Sequence, residues 1–346
     1  MRIVAVENLK PGMQLARTLY SDDGRVLLHC RAVLTKAIIK RIADLQYSYL
    51  YIRDPDDPVE EEEFLDPIKE ETKAKATALV KETMTGLEKS NTANVGQLKT
   101  VVAEMVDQIL ADRQTVYNMM DIRTYDDYTF AHSVNVGILS LLTGSALGYN
   151  REDLEALGMG AILHDIGKIL IPPEILKKPS RLDPGEYEKM KEHSERGYQL
   201  LKDRNVSYLA AHMAYEHHER EDGSGYPRGL TAARIHRFAK IVAVVDVFDA
   251  MTANRIYRKG LPAHLALREI QDSAVTKFDK TVVDCFMKIV APYPVGSVVR
   301  LSNGEIATVI KVTRNQCLVK VHGSGPVLIH DLYQNTGLMV EEVFNL

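Results

Sequence analysis

The first 53 residues alternate short apolar runs with turn signals, which predicts a small module of short strands around one helix. The turn signals are Pro11-Gly12 and the Asp-Asp-Gly segment at 22–24. After Thr35, apolar residues recur at helical spacing, which predicts a helix that begins there. These apolar positions are Ile38, Ile39, Ile42 and Leu45.

Residues 54–120 are predicted to form an acidic linker followed by connecting helices. The segment 54–63 carries two prolines and little apolar surface to bury. Beyond Pro67, helix formers dominate, and apolar residues take amphipathic spacing. The simpler interpretation is a connecting helix or hairpin. The alternative is a signalling or dimer helix that reports on the N-terminal module.

Residues 121–290 are predicted to form a second all-helical block. This block contains the histidines and aspartates that are the candidates for chemistry, and we therefore interpret it as the catalytic domain. After Tyr293-Pro294 the pattern changes to alternation, which predicts a small β-rich appendage over 291–346. The fold class is therefore mainly α: a helical bundle flanked by a small N-terminal α+β module and a small C-terminal β appendage.

Composition and charge limit the kinds of partner and the cellular location that we expect. Net charge is −4, so no overall positive field attracts a DNA or RNA polymer. No apolar run reaches about 18 residues and the N-terminus does not resemble a signal peptide, so we expect no membrane span and a cytoplasmic location. The widely spaced Cys30, Cys285 and Cys317 argue against disulfides and zinc-thiolate sites.

Histidines and aspartates inside the helical block are the candidates for chemistry. Imidazole and carboxylate ligands without thiolate suit Mn, Fe, Co, Ni or Zn in a hydrolytic site. The candidates, in chain order, are His132, His164, Asp165, His193, His217, His218 and Asp246.

Two of these groups follow strongly apolar segments, which makes an unpaired polar role costly. His164 and Asp165 come after the apolar run 157–163 and are expected to project from a buried helix into the bundle. Lys168 is four residues after His164, on the same helix face, where its cation would suit phosphate chemistry. Asp246 follows the apolar run 241–245 and needs an ion or a strong partner. For the nearby Asp249 we expect a local cap or hydrogen bond.

The adjacent pair His217-His218 sets a geometric condition. Neighbouring residues on a helix diverge by about 100°, so both can ligate only if the metals lie between those directions or the helix ends there. The following loop at 223–227, Gly-Ser-Gly-Tyr-Pro, is typical of a helix terminator. It would also suit an aromatic ring presented to a nucleotide base.

With these motifs together, the sequence resembles the HD-GYP family of bacterial cyclic di-GMP phosphodiesterases, within the HD superfamily of metal-dependent phosphohydrolases. The resemblance covers about residues 121–260. It rests on the segments YTFAHSVNVG, AILHDIGKILIPPEILKKP, MKEHSERG, EHHEREDGSGYPRGL and IVAVVDVFDAMTANRIYRKG.

The resemblance implies a helical domain that holds two or three metals. The family's ligand pattern falls on His132, His164, Asp165, His193, His217, His218 and Asp246, with Asp165 bridging the metals. Catalytic roles fall on Asp165 and Lys168. Phosphate contacts fall on Lys168, Arg255 and Arg258, and Tyr226 lies near a guanine.

One position departs from part of the family. Members with three metals have a glutamate four residues before the first histidine, and here that position is Tyr128. The resemblance therefore favours two divalent transition-metal ions. Iron and manganese are the first candidates, and nickel, cobalt and zinc are alternatives.

The resemblance implies hydrolysis of cyclic di-GMP to pGpG and/or GMP, and two metal ions would support this reaction through a metal-bridging hydroxide. The alternatives are a receptor that binds a cyclic dinucleotide without turnover, and a phosphodiesterase for another nucleotide such as cyclic GMP-AMP. The remaining alternative is that these histidines have a purely structural role in the core and bind no metal. The expected partner is the cyclic dinucleotide, and a homodimer or a signalling-protein partner stays open.

Overall fold

The N-terminal module is a small unit of short strands and one helix with its own hydrophobic core. The computed structural model describes residues 2–21, 25–45, 47, 49–53, 66–89, 94–111, 116–117, 128–178, 180–253, 260–274, 276–323, 326–335 and 337–344. The elements of the module are β1 (Arg2–Ala5), β2 (Gln14–Leu15), β3 (Leu19–Tyr20), β4 (Val26–Leu28), α1 (Lys36–Asp44) and β5 (Tyr49–Arg53). Three strands form an antiparallel sheet in the order β1-β5-β2, and β3 pairs with β4. The Thr35 side chain accepts a hydrogen bond from the Ile38 amide, so the helix begins where the sequence predicted.

Helices make up the middle of the chain. They are α2 (Glu70–Glu88), α3 (Val95–Ala111), α4 (Tyr128–Ala146), α5 (Arg151–Leu163), α6 (Pro173–Leu176), α7 (Pro184–Asp203), α8 (Tyr208–Glu216), α9 (Arg237–Thr252), α10 (Ala263–Asp272) and α11 (Lys280–Ile289). Among the described residues, every helix is too short or too polar to cross a membrane.

Side-chain caps fix where several of these helices begin. Asn150 accepts from the Asp153 amide at the start of α5. Asp183 and Glu186 form a reciprocal capping box at the start of α7. Such caps satisfy amides that have no partner within the helix. They therefore help to place α5, which ends directly before His164, and α7, which contains His193.

One hydrophobic core joins the helical block. Residues of α2 and α3, such as Val80 and Met105, are fully buried together with Leu163 of α5 and Val244 of α9. The predicted division at residue 120 therefore runs through a single core, because α2 and α3 bury their apolar faces against α4 and α5. The domain boundaries themselves stay a prediction.

The C-terminal unit is a small antiparallel sheet, as the alternating pattern predicted. Its strands are β6 (Val298–Leu301), β7 (Ile306–Thr313), β8 (Gln316–Val321), β9 (Ile329–Asp331) and β10 (Val340–Phe344), in the order β10-β6-β7-β8-β9. Alternate residues of β7, such as Ala307 and Val309, are buried in a separate core. The main chain of this unit also meets the N-terminal module, because the Ile3 amide donates to the Gly296 carbonyl over 3.2 Å.

Candidate metal centre

The bundle brings all seven predicted ligands together in its interior. They lie on α4 (His132), after α5 (His164, Asp165), on α7 (His193), after α8 (His217, His218) and on α9 (Asp246). Their donor atoms form two groups, each with its atoms within 4.8 Å of one another: Asp165, His193, His217 and His218 in one, and His132, His164 and Asp246 in the other.

Asp165 lies between the two groups. Its Oδ1 is 3.4 Å from Nε2 of His193 and 3.7 Å from Nε2 of His217. Its Oδ2 is 3.3 Å from Nε2 of His164 and 3.5 Å from Nε2 of His132. One carboxylate therefore faces both groups, one oxygen to each.

Asp246 completes the second group from the opposite side. Its Oδ1 is 3.2 Å from Nε2 of His132 and 3.7 Å from Nε2 of His164. Its Oδ2 is 3.9 Å from Nδ1 of His218, a member of the first group. Two carboxylates are thus shared among five imidazoles, of which all but that of His218 are buried.

The His164-Asp165 pair lies at the end of a helix rather than within one. α5 ends at Leu163, and a 3₁₀ turn occupies 166–170. Within this turn, the Lys168 ammonium pairs with Oδ2 of Asp165 rather than following His164 along an α-helical face. The turn packs closely on α7, because a Cβ on Gly167 would lie 1.9 Å from the His193 carbonyl oxygen.

The geometric condition on His217 and His218 is met. α8 ends at Glu216, so the two imidazoles leave the helix and their ring centroids lie 4.0 Å apart. Both rings reach the same cluster because the chain turns there. Of the two conditions stated for ligation by both histidines, the one that the helix ends at this pair is met.

Main-chain carbonyls fix the orientation of three imidazoles. Nδ1 of His164 is 2.7 Å from the Ala161 carbonyl oxygen, and Nδ1 of His193 is 2.6 Å from that of Met190. Nδ1 of His217 is 3.0 Å from the Ala214 carbonyl oxygen. Each Nδ1 must carry the proton to donate to a carbonyl, which leaves Nε2 as a lone-pair donor toward the centre.

Two buried donor atoms within the cluster have no hydrogen-bond partner among the described residues. They are Nε2 of His164 and Oδ1 of Asp165. Leaving such atoms unsatisfied is costly, and a divalent cation accepts lone pairs from both. Together with the all-nitrogen-and-oxygen donor set, this fits a divalent transition metal.

Electrostatics keep the two carboxylates ionised. Burial opposes charge on Asp165, but Lys168 and the neighbouring His164 outweigh it and hold the pKa of Asp165 well below its usual range. Burial also opposes charge on His164, yet Asp165 and Asp246 raise its pKa to about 9, so a metal that binds Nε2 would displace a proton from it. On His193 burial prevails and lowers the pKa to about 3, which favours the neutral imidazole that a metal needs.

A second layer of buried acids was not predicted. Asp249 is fully buried, and its Oδ1 accepts from the side-chain amide of Asn135 over 2.9 Å. It therefore makes a hydrogen bond, as expected, but to another helix rather than locally. Glu219 accepts from the Arg228 and Leu230 amides, each over 2.8 Å. In the sequence, only the position of Glu219 next to the histidine pair indicated a role near the cluster.

Glu216, the last residue of α8, holds the same loop from its other side. Its Oε1 accepts from Arg228 over 2.6 Å, and its Oε2 accepts from the His236 amide over 2.8 Å. The loop after the histidine pair is therefore attached to two buried carboxylates, Glu216 and Glu219. This attachment places the Gly-Ser-Gly-Tyr-Pro segment beside the cluster.

Tyr226 lies against the cluster. Its ring stacks on that of His218 with centroids 4.6 Å apart, and the Lys191 ammonium is 5.6 Å from its centroid. The turn depends on Gly225, because a Cβ there would lie 2.4 Å from the Arg220 amide nitrogen. Arg255, Arg258 and the side chain of Tyr128 lie outside the described residues.

Comparisons with known proteins agree with this architecture. A cyclic di-GMP phosphodiesterase of Pseudomonas aeruginosa is 36% identical over 212 residues, 61% of this chain and 51% of that protein. A 3'3'-cGAMP-specific phosphodiesterase of Vibrio cholerae is 34% identical over 184 residues, 53% of this chain and 42% of that protein. The chain thus spans about half or less of the length of these relatives.

A solved structure supports the fold. An HDG"Y"P protein from Bdellovibrio bacteriovorus superposes with a TM-score of 0.55 over 82% of this chain and 97% of that one, at 18% identity. The model of the HD domain family matches residues 104–282, which include every residue of the cluster. The chain therefore belongs to the HD domain family, and the resemblance that its motifs predicted is confirmed.

Proposed function

We propose that this chain is a metal-dependent phosphodiesterase that hydrolyses cyclic di-GMP to pGpG and/or GMP. The observation that carries the proposal is the position of Asp165, whose two carboxylate oxygens face two separate groups of imidazoles. A shared carboxylate of this kind suits a dinuclear hydrolytic site.

The proposed ligands are the seven residues of the two groups, with two ions per chain and iron or manganese as the first candidates. When bound, divalent ions supply Lewis-acid activation of the phosphodiester and of the attacking water. The histidines present Nε2 lone pairs, because carbonyls hold the Nδ1 protons of His164, His193 and His217. The protein therefore orients its donors before any ion binds.

Lys168 and Tyr226 are the proposed substrate contacts that the structure describes. The Lys168 ammonium lies at Asp165, where it would attract a phosphate and stabilise negative charge that develops on it. Tyr226 stacks on His218, and an aromatic ring beside the cluster is suited to contact a guanine. Arg255 and Arg258 are also proposed as phosphate contacts, and for them the sequence motif is the only support.

A hybrid cyclic GMP-AMP is the second candidate substrate. It is favoured by the similarity to a 3'3'-cGAMP-specific phosphodiesterase. Both substrates carry the same phosphodiester linkages between ribose units, so the metal cluster alone does not discriminate them. The bases must be distinguished by residues around Tyr226.

Metal-loaded protein, prepared without oxygen and with each candidate metal, should convert cyclic di-GMP to pGpG or GMP in product chromatography. Asp165→Asn should nearly abolish turnover and lose at least one metal, because one charge and one donor oxygen are removed. The matched control is Asp284→Asn, which changes an exposed aspartate on α11 that pairs with Lys280. Binding of the dinucleotide without product would indicate a receptor, and ordinary turnover by Asp165→Asn would contradict the assignment.

A further inference from the structure

Arg220 differs from Arg196, Arg228 and Arg237 because no acidic side chain in the described part of the chain pairs with it. Arg196 pairs with Glu192, Arg228 with Glu216 and Arg237 with Asp153. Within the described part of the chain, the Arg220 guanidinium makes no hydrogen bond and no ion pair, and its Nη1 is buried. Its described side-chain contact is with the ring of Phe278, whose centroid lies 4.9 Å from Cζ.

The backbone holds Arg220 beside the cluster. It is two residues beyond His218, and its carbonyl accepts from the Gly223 amide over 2.9 Å. The next residue, Glu221, donates its amide to the Lys277 carbonyl over 3.1 Å, and Phe278 is itself buried. Hydrogen bonds therefore hold the main chain at Arg220 and Glu221, and the ring of Phe278 contacts the Arg220 side chain.

One group of the proposed site acts electrostatically on Arg220. The largest charge effect on its guanidinium comes from Asp246, a proposed ligand. A desolvated cation at this place favours an anion supplied from outside the protein.

We propose that the Arg220 guanidinium binds a phosphate of the substrate, as a contact additional to Lys168. The planar guanidinium presents paired donors that match two phosphate oxygens, whereas the Lys168 ammonium acts as a point charge already engaged with Asp165. This inference rests on the proposed function for the identity of the substrate. The binding of phosphate by Arg220 can be tested independently of the proposed function.

The test compares Arg220→Met and Arg220→Lys with the wild type. Methionine keeps an apolar side chain against Phe278 and removes the charge. Lysine restores the charge but lacks the paired donors of the guanidinium. Binding of inorganic phosphate to the metal-loaded protein, measured by calorimetry, should weaken about tenfold or more in Arg220→Met, with partial recovery in Arg220→Lys. KM should rise similarly for cyclic di-GMP and for bis(p-nitrophenyl) phosphate, which is a phosphodiester without bases.

Metal content and the free energy of unfolding separate this role from a structural one. Both should be nearly unchanged in Arg220→Met, because no described acidic side chain pairs with Arg220 and the methionine keeps the apolar contact with Phe278. The matched control is Arg237→Met, in which an arginine stacked at 4.8 Å on Phe238 is removed away from the cluster. It should leave phosphate binding and KM unchanged.

Two results would overturn the inference: unaltered phosphate binding in Arg220→Met, or a KM that rises for the dinucleotide alone, which would indicate a base contact. Failure of the wild type to hydrolyse any cyclic dinucleotide, combined with weaker phosphate binding in Arg220→Met, would contradict the proposed function and support the inference.

Discussion

Oδ2 of Asp249 lies 2.6 Å from Nδ1 of His132, and this contact joins α9 to α4 at the candidate metal centre. Burial opposes charge on His132, but hydrogen bonds to Asp165, Asp246 and Asp249 raise the pKa of His132 well above its usual range. With Nδ1 bonded to Asp249, His132 directs Nε2 at the two carboxylates of the cluster. A carboxylate behind a ligating imidazole fixes its tautomer and strengthens it as a donor.

Asp249→Asn should weaken metal binding about tenfold while leaving substrate KM nearly unchanged. The neutral amide can still accept from His132, and the Asn135 amide can rotate to pair with its other half, so the loss is partial. Metal titration followed by elemental analysis measures it. Asp284→Asn is the control, and equal metal affinity in Asp249→Asn and the wild type would exclude this role for Asp249.

Glu219→Gln should release the loop that carries Tyr226. The carboxylate of Glu219 accepts from two main-chain amides, and glutamine offers one acceptor and one donor in its place. The unpaired amide should lower the free energy of unfolding by about 1–3 kcal/mol. KM for the dinucleotide should rise as Tyr226 loses its fixed position.

Urea denaturation and steady-state kinetics test this change together. Glu192→Gln, at an exposed glutamate of α7, is the control. A stable Glu219→Gln protein with wild-type KM would show that the loop keeps its position without this acceptor.

The residues of the candidate metal centre could be predicted because each lies in a short motif whose residue types and order are distinctive, and the structure brings them together. His132 and Asp249 are 117 residues apart, and their pairing depends on how α4 packs on α9, which no local pattern encodes. The 3₁₀ turn that carries Lys168 was expected to continue an α-helix. Its actual course follows from the close approach of Gly167 to His193, a tertiary contact.

Asp66 connects the N-terminal module to the helical block. It pairs with Arg17 of the module and lies 3.7 Å from the Lys73 ammonium on α2. Burial opposes its charge, but Lys73 and Arg17 prevail and lower its pKa below the ordinary 3.8. The ion pair therefore contributes stability above about pH 4, and this contribution is lost as the pH falls through the lowered folded-state pKa.

Asp66→Asn should lower the free energy of unfolding at pH 7 by about 1–3 kcal/mol, since two partly exposed cations lose a shared partner. The difference from the wild type should shrink steadily as the pH falls below about 4. Urea denaturation of both proteins across this range gives the measurement. A difference that does not depend on pH would show that the charge of Asp66 is not the stabilising feature.

Metal stoichiometry tests the role of position 128. α4 begins at Tyr128, one turn before His132, so a glutamate there would lie on the same face of the helix. A phenol has a reference pKa near 10 and seldom ligates a hydrolytic metal, whereas a glutamate is anionic at pH 7. We therefore expect two metals per chain in the wild type and in Tyr128→Phe, and a third ion in Tyr128→Glu. Elemental analysis of anaerobically purified protein and anomalous density give the count, and three well-occupied sites in the wild type would show that Tyr128 does not limit the cluster.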